Sequence, residues 1–475
     1  MSNEETPEVD AVDVAALIAE MGAALSFERP VTPPPSGLTA EDTAKIRVTA
    51  YDGQGGVDHK TATAIALQGA KKWEDIPALT PEIRRAILEK GWIKPSKIQE
   101  TALPLIITEK RNIIAQAQNG SGKTATFALG VVSSVNVEIK HPQAIVVSPT
   151  RELARQNLDV IEQLCKYNGI STQLVVPQTE GLPTRNEPMS AQIISATPGK
   201  LQQLLQKRLL NPKYVKFFVL DEADVMVSAE NNMGSIVNSI RAMLPKDMQI
   251  LLFSATYADR VQAFAHAMVP MAVKIEVSKD DLTLETIWQT YVDCGDDTEK
   301  KFQILSDLYA IMNIGQSIIF VNSRKLAMDV AQRMKKEGHA VSLFCGTQDS
   351  GPEKIDNSYR DRVIAEFRSG VTKVLVATDV LARGIDVPAV TLVVNYQLPT
   401  GKGGVDYETY LHRIGRTGRF GQRGVAINLV NSIEVENVKK VEAYYKGSVI
   451  EKIEADVDVL EKRMQEIQDN RSLYK

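Results

Sequence analysis

Cysteine is scarce: Cys165, Cys294 and Cys345 stand far apart, with no CxxC pair and no Cys/His spacing. That excludes a disulfide framework and a structural zinc site, and it fits a reducing, intracellular compartment. Long apolar runs are missing too. No stretch reaches the roughly 18 uninterrupted apolar residues of a membrane span, and the acidic start lacks the basic and apolar regions of a signal peptide. A soluble protein without membrane insertion is expected. Charge of one sign is also lacking, since the formal net charge is only -4. Residues 1–70 hold 11 acids and 4 bases, leaving 48 acids and 51 bases in the rest. An acidic tail therefore precedes a weakly basic body. Such a body does not signal nucleic acid by bulk electrostatics, so any claim of that kind must rest on motifs.

What is present is apolar content of 44% over 475 residues, enough for two or three domains with sizeable cores. Residues 1–70 contain "RPVTPPPSGLT" and "YDGQGGVD" and few aromatics, which predicts a mostly disordered extension. Within it Val14, Leu17, Ile18, Met21 and Leu25 recur at helical spacing, so 11–25 is a candidate amphipathic helix, transient or regulatory. From residue 112 short runs apolar on both faces alternate with helix-like segments: "NIIAQA", "AIVVSP", "QLVVP", "QIISAT", "FFVLD", "ILLFSAT" and "VKIEV". A second series follows in "SIIFVN", "VSLFC", "KVLVATD", "TLVVNY" and "GVAINLV". Each series reads as a parallel sheet covered by helices. The expected organisation is an extension over 1–70, α/β domains over 71–277 and 287–475, and a polar linker over 278–286.

The segment "AQNGSGKT", Ala117 to Thr124, lies between an apolar run and a helix. Gly120 and Gly122 allow backbone amides to turn inward around a polyphosphate, with the helix N-terminus behind them. Lys123 would reach the β- and γ-phosphates, and Thr124 would complete magnesium coordination. Gln118, Asn119 and Ser121 belong to the same loop. Ala117 stands where the usual pattern has its first glycine. In "FFVLDEADVM" an apolar strand ends in adjacent carboxylates, as a Mg-nucleotide site requires. Asp221 would hold the metal, partly through water, and Glu222 would polarise the attacking water. In "YLHRIGRTGRFG", Arg413, Arg416 and Arg419 are spaced at helical intervals among glycines and read as arginine fingers from the second domain.

These motifs, with "GWIKPSKIQ", "PTRELA", "TPGK", "SAT", "ATDVLARGID" and "HRIGRTGR" in order, resemble the DEAD-box ATP-dependent RNA helicases over about residues 73–450. The resemblance implies two RecA-like parallel-sheet domains, ATP and magnesium as cofactors, and single-stranded RNA bound without sequence preference. It implies that Gln99 reads adenine, Trp92 packs on the base, Trp73 supports the site or merely fills the core, and Asp386 contacts the ribose. On the RNA side it implies Pro149, Thr150, Arg151, Thr197, Pro198 and Gly199 from the first domain, and Arg324, Thr378, Asp379 and Gly384 from the second. Arg151 is equally open to a structural ion pair. Ser254, Thr256, Asp224 and His412 would couple hydrolysis to strand separation.

Within the family "LTLETIWQTYV" and the long "LPTGKGGVDYETYLHRIGR" look like the mRNA-export type of the nuclear pore's cytoplasmic face. That likeness implies a cytoplasmic and nuclear location and a monomer. It also implies an inositol-hexakisphosphate-dependent activator, a β-propeller nucleoporin and mRNA–protein complexes as partners. A translation-initiation helicase and an ATP-gated RNA clamp with little turnover stay open as alternatives. The sequence departs from its family at Gln397, at Thr347, in "VVPQTEG", which lacks a double glycine, and in the lengthened segment 348–359.

Overall fold

Alternate residues of the central strands enter different cores. Ile113, Ala115, Val146, Val219, Leu251 and Phe253 join one apolar cluster. Their neighbours Ile114, Ile145, Val147, Phe218, Leu220, Ile250 and Leu252 join another. A strand exposes its two sides with period two, so a sheet with helices on both faces needs apolar residues at every position. The second sheet repeats this, with Ile319, Val376 and Val394 in one cluster and Ile318, Leu375 and Val393 in the next.

The computed structural model describes residues 46–50, 58, 61–62, 65, 69–117, 120–179, 181–184, 187–227, 232–257, 259–277, 287–311, 315–346, 355–382, 390–401, 404–418, 424–445, 448–456, 458–459, 461–463 and 465–466. The candidate helix at 11–25, the linker at 278–286, and Gln118, Asn119, Thr347, Gly384, Asp386 and Arg419 lie outside the described residues.

The first sheet contains β1 (Ile46–Thr49), β2 (Ile113–Gln116), β3 (Ala144–Val147), β4 (Thr172–Val175), β5 (Ile193–Ala196), β6 (Phe217–Leu220), β7 (Gln249–Ser254) and β8 (Val273–Val277). Their order is β1-β8-β2-β7-β6-β3-β5-β4. All neighbours are parallel except β1, which runs antiparallel to β8 with Ile46 opposite Val277. The second sheet contains β9 (Ile287–Asp293), β10 (Gln316–Phe320), β11 (Val341–Phe344), β12 (Val374–Ala377) and β13 (Val390–Asn395). A short hairpin, β14 (Thr400–Gly401) and β15 (Gly404–Val405), lies apart from it, and β16 (Gly424–Val430) and β17 (Ile450–Ile453) complete it in the order β11-β12-β10-β13-β16-β9-β17.

Every apolar run singled out in the sequence is a strand. β1 was not expected: it lies within 1–70, yet Ile46 and Val48 pack on the first core and Ala50 is fully buried. A single antiparallel edge strand needs only one apolar face, so two such residues suffice. The segments "AQNGSGKT", "PTRELA", "TPGK", "DEAD" and "SAT" lie at the carboxyl ends of the parallel strands β2, β3, β5, β6 and β7, where open α/β sheets bind ligands. Both halves lie within one compact unit.

Candidate nucleotide and RNA site

After β2 the chain turns through Gly120 (φ 84°) and Gly122 (φ 96°) into the helix Lys123–Val132. Position 122 favours glycine, because its backbone is left-handed and a Cβ there would stand 2.6 Å from Gln99 Nε2 and 2.8 Å from Ser96 Oγ. Ser96 Oγ donates to the Ser121 carbonyl at 2.8 Å. Gln99 Oε1 accepts from Ser96 N at 2.8 Å, while its Nε2 donates to the Gly122 carbonyl at 3.3 Å. Each amide atom of Gln99 thus has one protein partner, leaving one lone pair and one N–H for a base edge. The Trp73 indole is buried in the first core and donates to the Trp92 carbonyl at 2.9 Å. Of the two roles weighed for Trp73, this geometry is that of core packing and support of Trp92.

Lys123 is buried, and among the described residues its Nζ has no hydrogen-bond partner. A buried ammonium without an acceptor is costly, so the cradle calls for an anion. Beside it Asp221 and Glu222 leave the end of β6, both buried, with Glu222 at φ 53°. Left-handed backbone at a non-glycine residue is strain of the kind that gathers at functional sites. Burial, then the Glu222 charge, push the Asp221 carboxyl well above the usual carboxylate range, against Lys123 and a hydrogen bond from Asn157. Asn157 Nδ2 donates to Asp221 Oδ2 at 2.8 Å and to Ser148 Oγ at 3.0 Å, and Thr124 Oγ1 lies 3.5 Å from Asn157 Oδ1. A buried carboxylate and a hydroxyl gathered on one amide are hard oxygen donors, which fit magnesium.

Asn157 escaped the sequence reading. It is fully buried on the helix Arg151–Cys165, in the stripe of Leu153, Ala154, Leu158 and Ile161. An amide on a face that otherwise packs apolar residues was the available signal.

The second half meets this pocket through the helix Tyr407–Ile414. His412 Nε2 lies 3.3 Å from Asp224 Oδ2, and the same oxygen accepts from Thr256 Oγ1 at 2.9 Å and Thr256 N at 3.2 Å. Ser254 Oγ accepts from Asp224 N at 3.3 Å and donates to the Thr256 carbonyl at 2.7 Å. All four residues expected to couple hydrolysis to strand separation are therefore brought together. Arg416 is 4% exposed, and burial lowers its guanidinium to about 10 while the nearby Glu222 charge opposes that shift.

Arg413 and Arg416 do not share a helix face. The helix ends at Ile414 with Gly415 as its cap, so Arg416 lies past the last turn. Arg413 is not a finger. Fully buried, it donates to Asp379 (2.6 Å), the Gln397 carbonyl (2.7 Å), Asn322 Oδ1 (2.8 Å) and Asn395 Oδ1 (3.3 Å), all in its own half. Gln397 fits this hub, since its Oε1 also accepts from Asn322 N at 3.0 Å.

On the RNA side a groove of about 530 Å³ is lined by Pro149, Arg151, Thr197, Pro198, Gly199 and Lys200 among others. Thr150 caps the helix Arg151–Cys165 by accepting from Leu153 N at 3.2 Å. Thr197 Oγ1 is buried, with no partner among the described residues. Arg151 Nη2 lies 3.4 Å from Asp361 of the other half, the ion-pair role left open for it. Arg324 lines a separate pocket with Lys325, Met328, Asp329 and Gln332. Thr378 is buried beside the half-exposed Asp379.

The family model for DEAD/DEAH box helicases matches residues 96–264, and that for the helicase conserved C-terminal domain matches 300–421. The ATP-dependent RNA helicase DBP5 of Saccharomyces cerevisiae is 43% identical over 385 residues, covering 81% of this chain and 77% of that one. S. cerevisiae Dbp5 bound to RNA and ADP–BeF3 aligns with a TM-score of 0.77 at 42% identity, over 84% of this chain and all of that one. A variant of Dbp5 bound to Nup159, Gle1, IP6 and ADP aligns at 0.59 and 40% identity, over 82% and 99%. The chain belongs to the DEAD-box family of ATP-dependent RNA helicases.

Proposed function

We propose that this helicase closes its two halves on ATP and single-stranded RNA together, unwinds short duplexes or strips bound protein, and acts on mRNA–protein complexes in export through the nuclear pore. The observation that carries the reading is Arg416: a guanidinium of the second half, buried, with the charge of Glu222 from the first half acting on it. A pocket completed from both sides hydrolyses only when closed.

Lys123 and the amides around Gly120 and Gly122 hold the β- and γ-phosphates. Thr124 and Asp221, oriented by Asn157, hold magnesium, which when bound neutralises charge on those phosphates. Glu222 accepts the proton of the attacking water, and Arg416 with Arg419 stabilises charge on the transferring phosphoryl group. Gln99 gives its remaining N–H and lone pair to adenine, favouring ATP over GTP, with Trp92 against the base and Asp386 on the ribose. RNA runs across Pro149, Thr150, Arg151, Thr197, Pro198 and Gly199 to Arg324, Thr378, Asp379 and Gly384. Hydroxyls, amides and arginines of that kind grip phosphates and 2'-hydroxyls without reading bases.

The domains we assign are 71–277 and 287–475, joined by 278–286. The Dbp5 relative has been solved with Gle1 and IP6 and with Nup159. On that likeness we extend to this chain an inositol-hexakisphosphate-dependent activator, a nucleoporin and a place at the cytoplasmic face of the pore.

The test is steady-state phosphate release with and without RNA, followed by pull-down with isolated pore components. RNA-stimulated, repeated turnover and capture by the pore components are expected. A single turnover that leaves the chain on RNA would replace the helicase reading with a clamp.

A further inference from the structure

Two departures noted in the sequence, "VVPQTEG" and the lengthened segment before Arg360, meet across the seam between the halves. Gln178 sits at φ 61°, in the left-handed region that non-glycine residues enter at a cost. Its Oε1 accepts a hydrogen bond from Asn357 Nδ2 of the other half. Asn357 is the first residue of the helix Asn357–Arg368, whose cap Asp356 accepts from Tyr359 N at 2.8 Å. One turn on, Arg360 Nη2 lies 2.9 Å from Glu152 Oε2, with both side chains 8% exposed. The start of this helix is thus seated on the first half by a buried ion pair and an amide pair.

The amide pair differs from the ion pair in where it acts. Pro177 and Gln178 line the groove that also holds Arg151, Thr197 and Gly199. Strained backbone persists only where its surroundings over-determine it. Here a side-chain partner is Asn357, which belongs to the other half, so parting the halves would remove it. The shape of the groove wall is therefore conditional on closure.

We infer that Gln178 and Asn357 are positioning residues that set the wall of the RNA groove only in the closed state, and so pass nucleotide-driven closure on to the grip on RNA. The inference rests on the RNA-binding reading of this groove given above. It goes further in naming a link, made by a residue of the groove wall and one of the other half, outside the residues assigned to nucleotide and to chemistry.

The test is fluorescence anisotropy of a labelled polyuridine strand with the full chain, in ADP–BeF3 and in ADP. Asn357→Ala should weaken RNA binding about fivefold with ADP–BeF3, the worth of one neutral hydrogen bond, and leave it unchanged with ADP. Gln178→Gly should weaken the ADP–BeF3 state by a similar factor, yet melt no lower than the parent, because glycine accepts the left-handed backbone. The double variant should lose no more than either single variant, since both remove the same bond.

Equal losses in both nucleotide states would make these residues plain RNA contacts and overturn the inference. Additive losses, or none, would do the same. Failure of the underlying reading looks different: the unmodified chain would then bind RNA alike in ADP–BeF3 and in ADP.

Discussion

Replacing Asn157 by alanine separates the proposed magnesium site from the fold that would carry it. The change removes a 2.8 Å donation to Asp221 and a 3.0 Å donation to Ser148 in a fully buried place. A bond to a carboxylate is worth about 1.5–3 kcal/mol and a neutral one about 1 kcal/mol, so the first half should lose about 3 kcal/mol of stability. The effect on metal is separate. The Asn157 hydrogen bond is one of the influences that lower the Asp221 carboxyl, against the burial and the Glu222 charge that raise it. Without that bond Asp221 would hold its proton more tightly, and a magnesium ion bound there would have to displace it.

Loss of such an outer partner typically weakens metal binding about 10–100-fold. RNA-stimulated phosphate release, titrated with magnesium at fixed ATP, should show that shift in half-saturation while turnover at saturating magnesium falls far less. The sign of the pH dependence follows. A carboxyl raised further is protonated over a wider range, so the gap between variant and parent should narrow as pH rises and the extra proton leaves. Unchanged magnesium dependence, with only a lower melting temperature, would refute the reasoning and make Asn157 a packing residue.

Glu222→Gln keeps the shape of the pocket and removes the proton acceptor, so ATP and RNA binding should persist while turnover falls about 100-fold or more in single-turnover assays; undiminished turnover rejects Glu222 as the base. Arg413→Met should act on folding, because it leaves Asp379, Asn322, Asn395 and the Gln397 carbonyl without their shared donor. A loss of about 3 kcal/mol or more in denaturant unfolding is expected, and normal stability with a selective fall in turnover would restore Arg413 as a finger.

Most interior strands of both sheets were legible because a strand covered on two sides must be apolar at every position, and runs such as Ile145–Val147 and Phe217–Leu220 satisfy that. Strands with a different demand were not. β9 mixes buried Gln289 and Thr290 among its apolar residues, and β1 and β17 lie at sheet edges. The phosphate loop and the carboxylate pair were legible because their chemistry is local in sequence. Asn157, by contrast, meets Asp221 across 64 residues, and Gln178 meets Asn357 across 179. The arginine spacing misled because it grouped Arg413 with Arg416 as fingers, whereas the helix ends at Ile414, with Gly415 as its cap, and Arg413 and Arg416 meet different neighbours. A finger is distinguished from a structural arginine by which half it faces, and spacing alone carries no such information.

Arg416 also bears on why the halves should part after hydrolysis. Arg416 is 4% exposed, and burial lowers its guanidinium to about 10 against the raising effect of the Glu222 charge, so holding it in the seam carries a desolvation cost. On the proposed role a terminal phosphate would add an anion beside Arg416, and once it leaves, burial of the guanidinium would oppose closure. Arg416→Met keeps an apolar stem of similar reach and removes the charge, so it should cut both ways. RNA affinity should fall with ADP–BeF3, where the favourable pair is lost, and rise with ADP, where the desolvation cost is lost. The ratio of the two affinities, read by anisotropy on a polyuridine strand, should shrink from both ends. If the ratio instead holds and only turnover drops, Arg416 assists chemistry without helping the cleft to reopen, and the driving force for opening lies elsewhere in the seam.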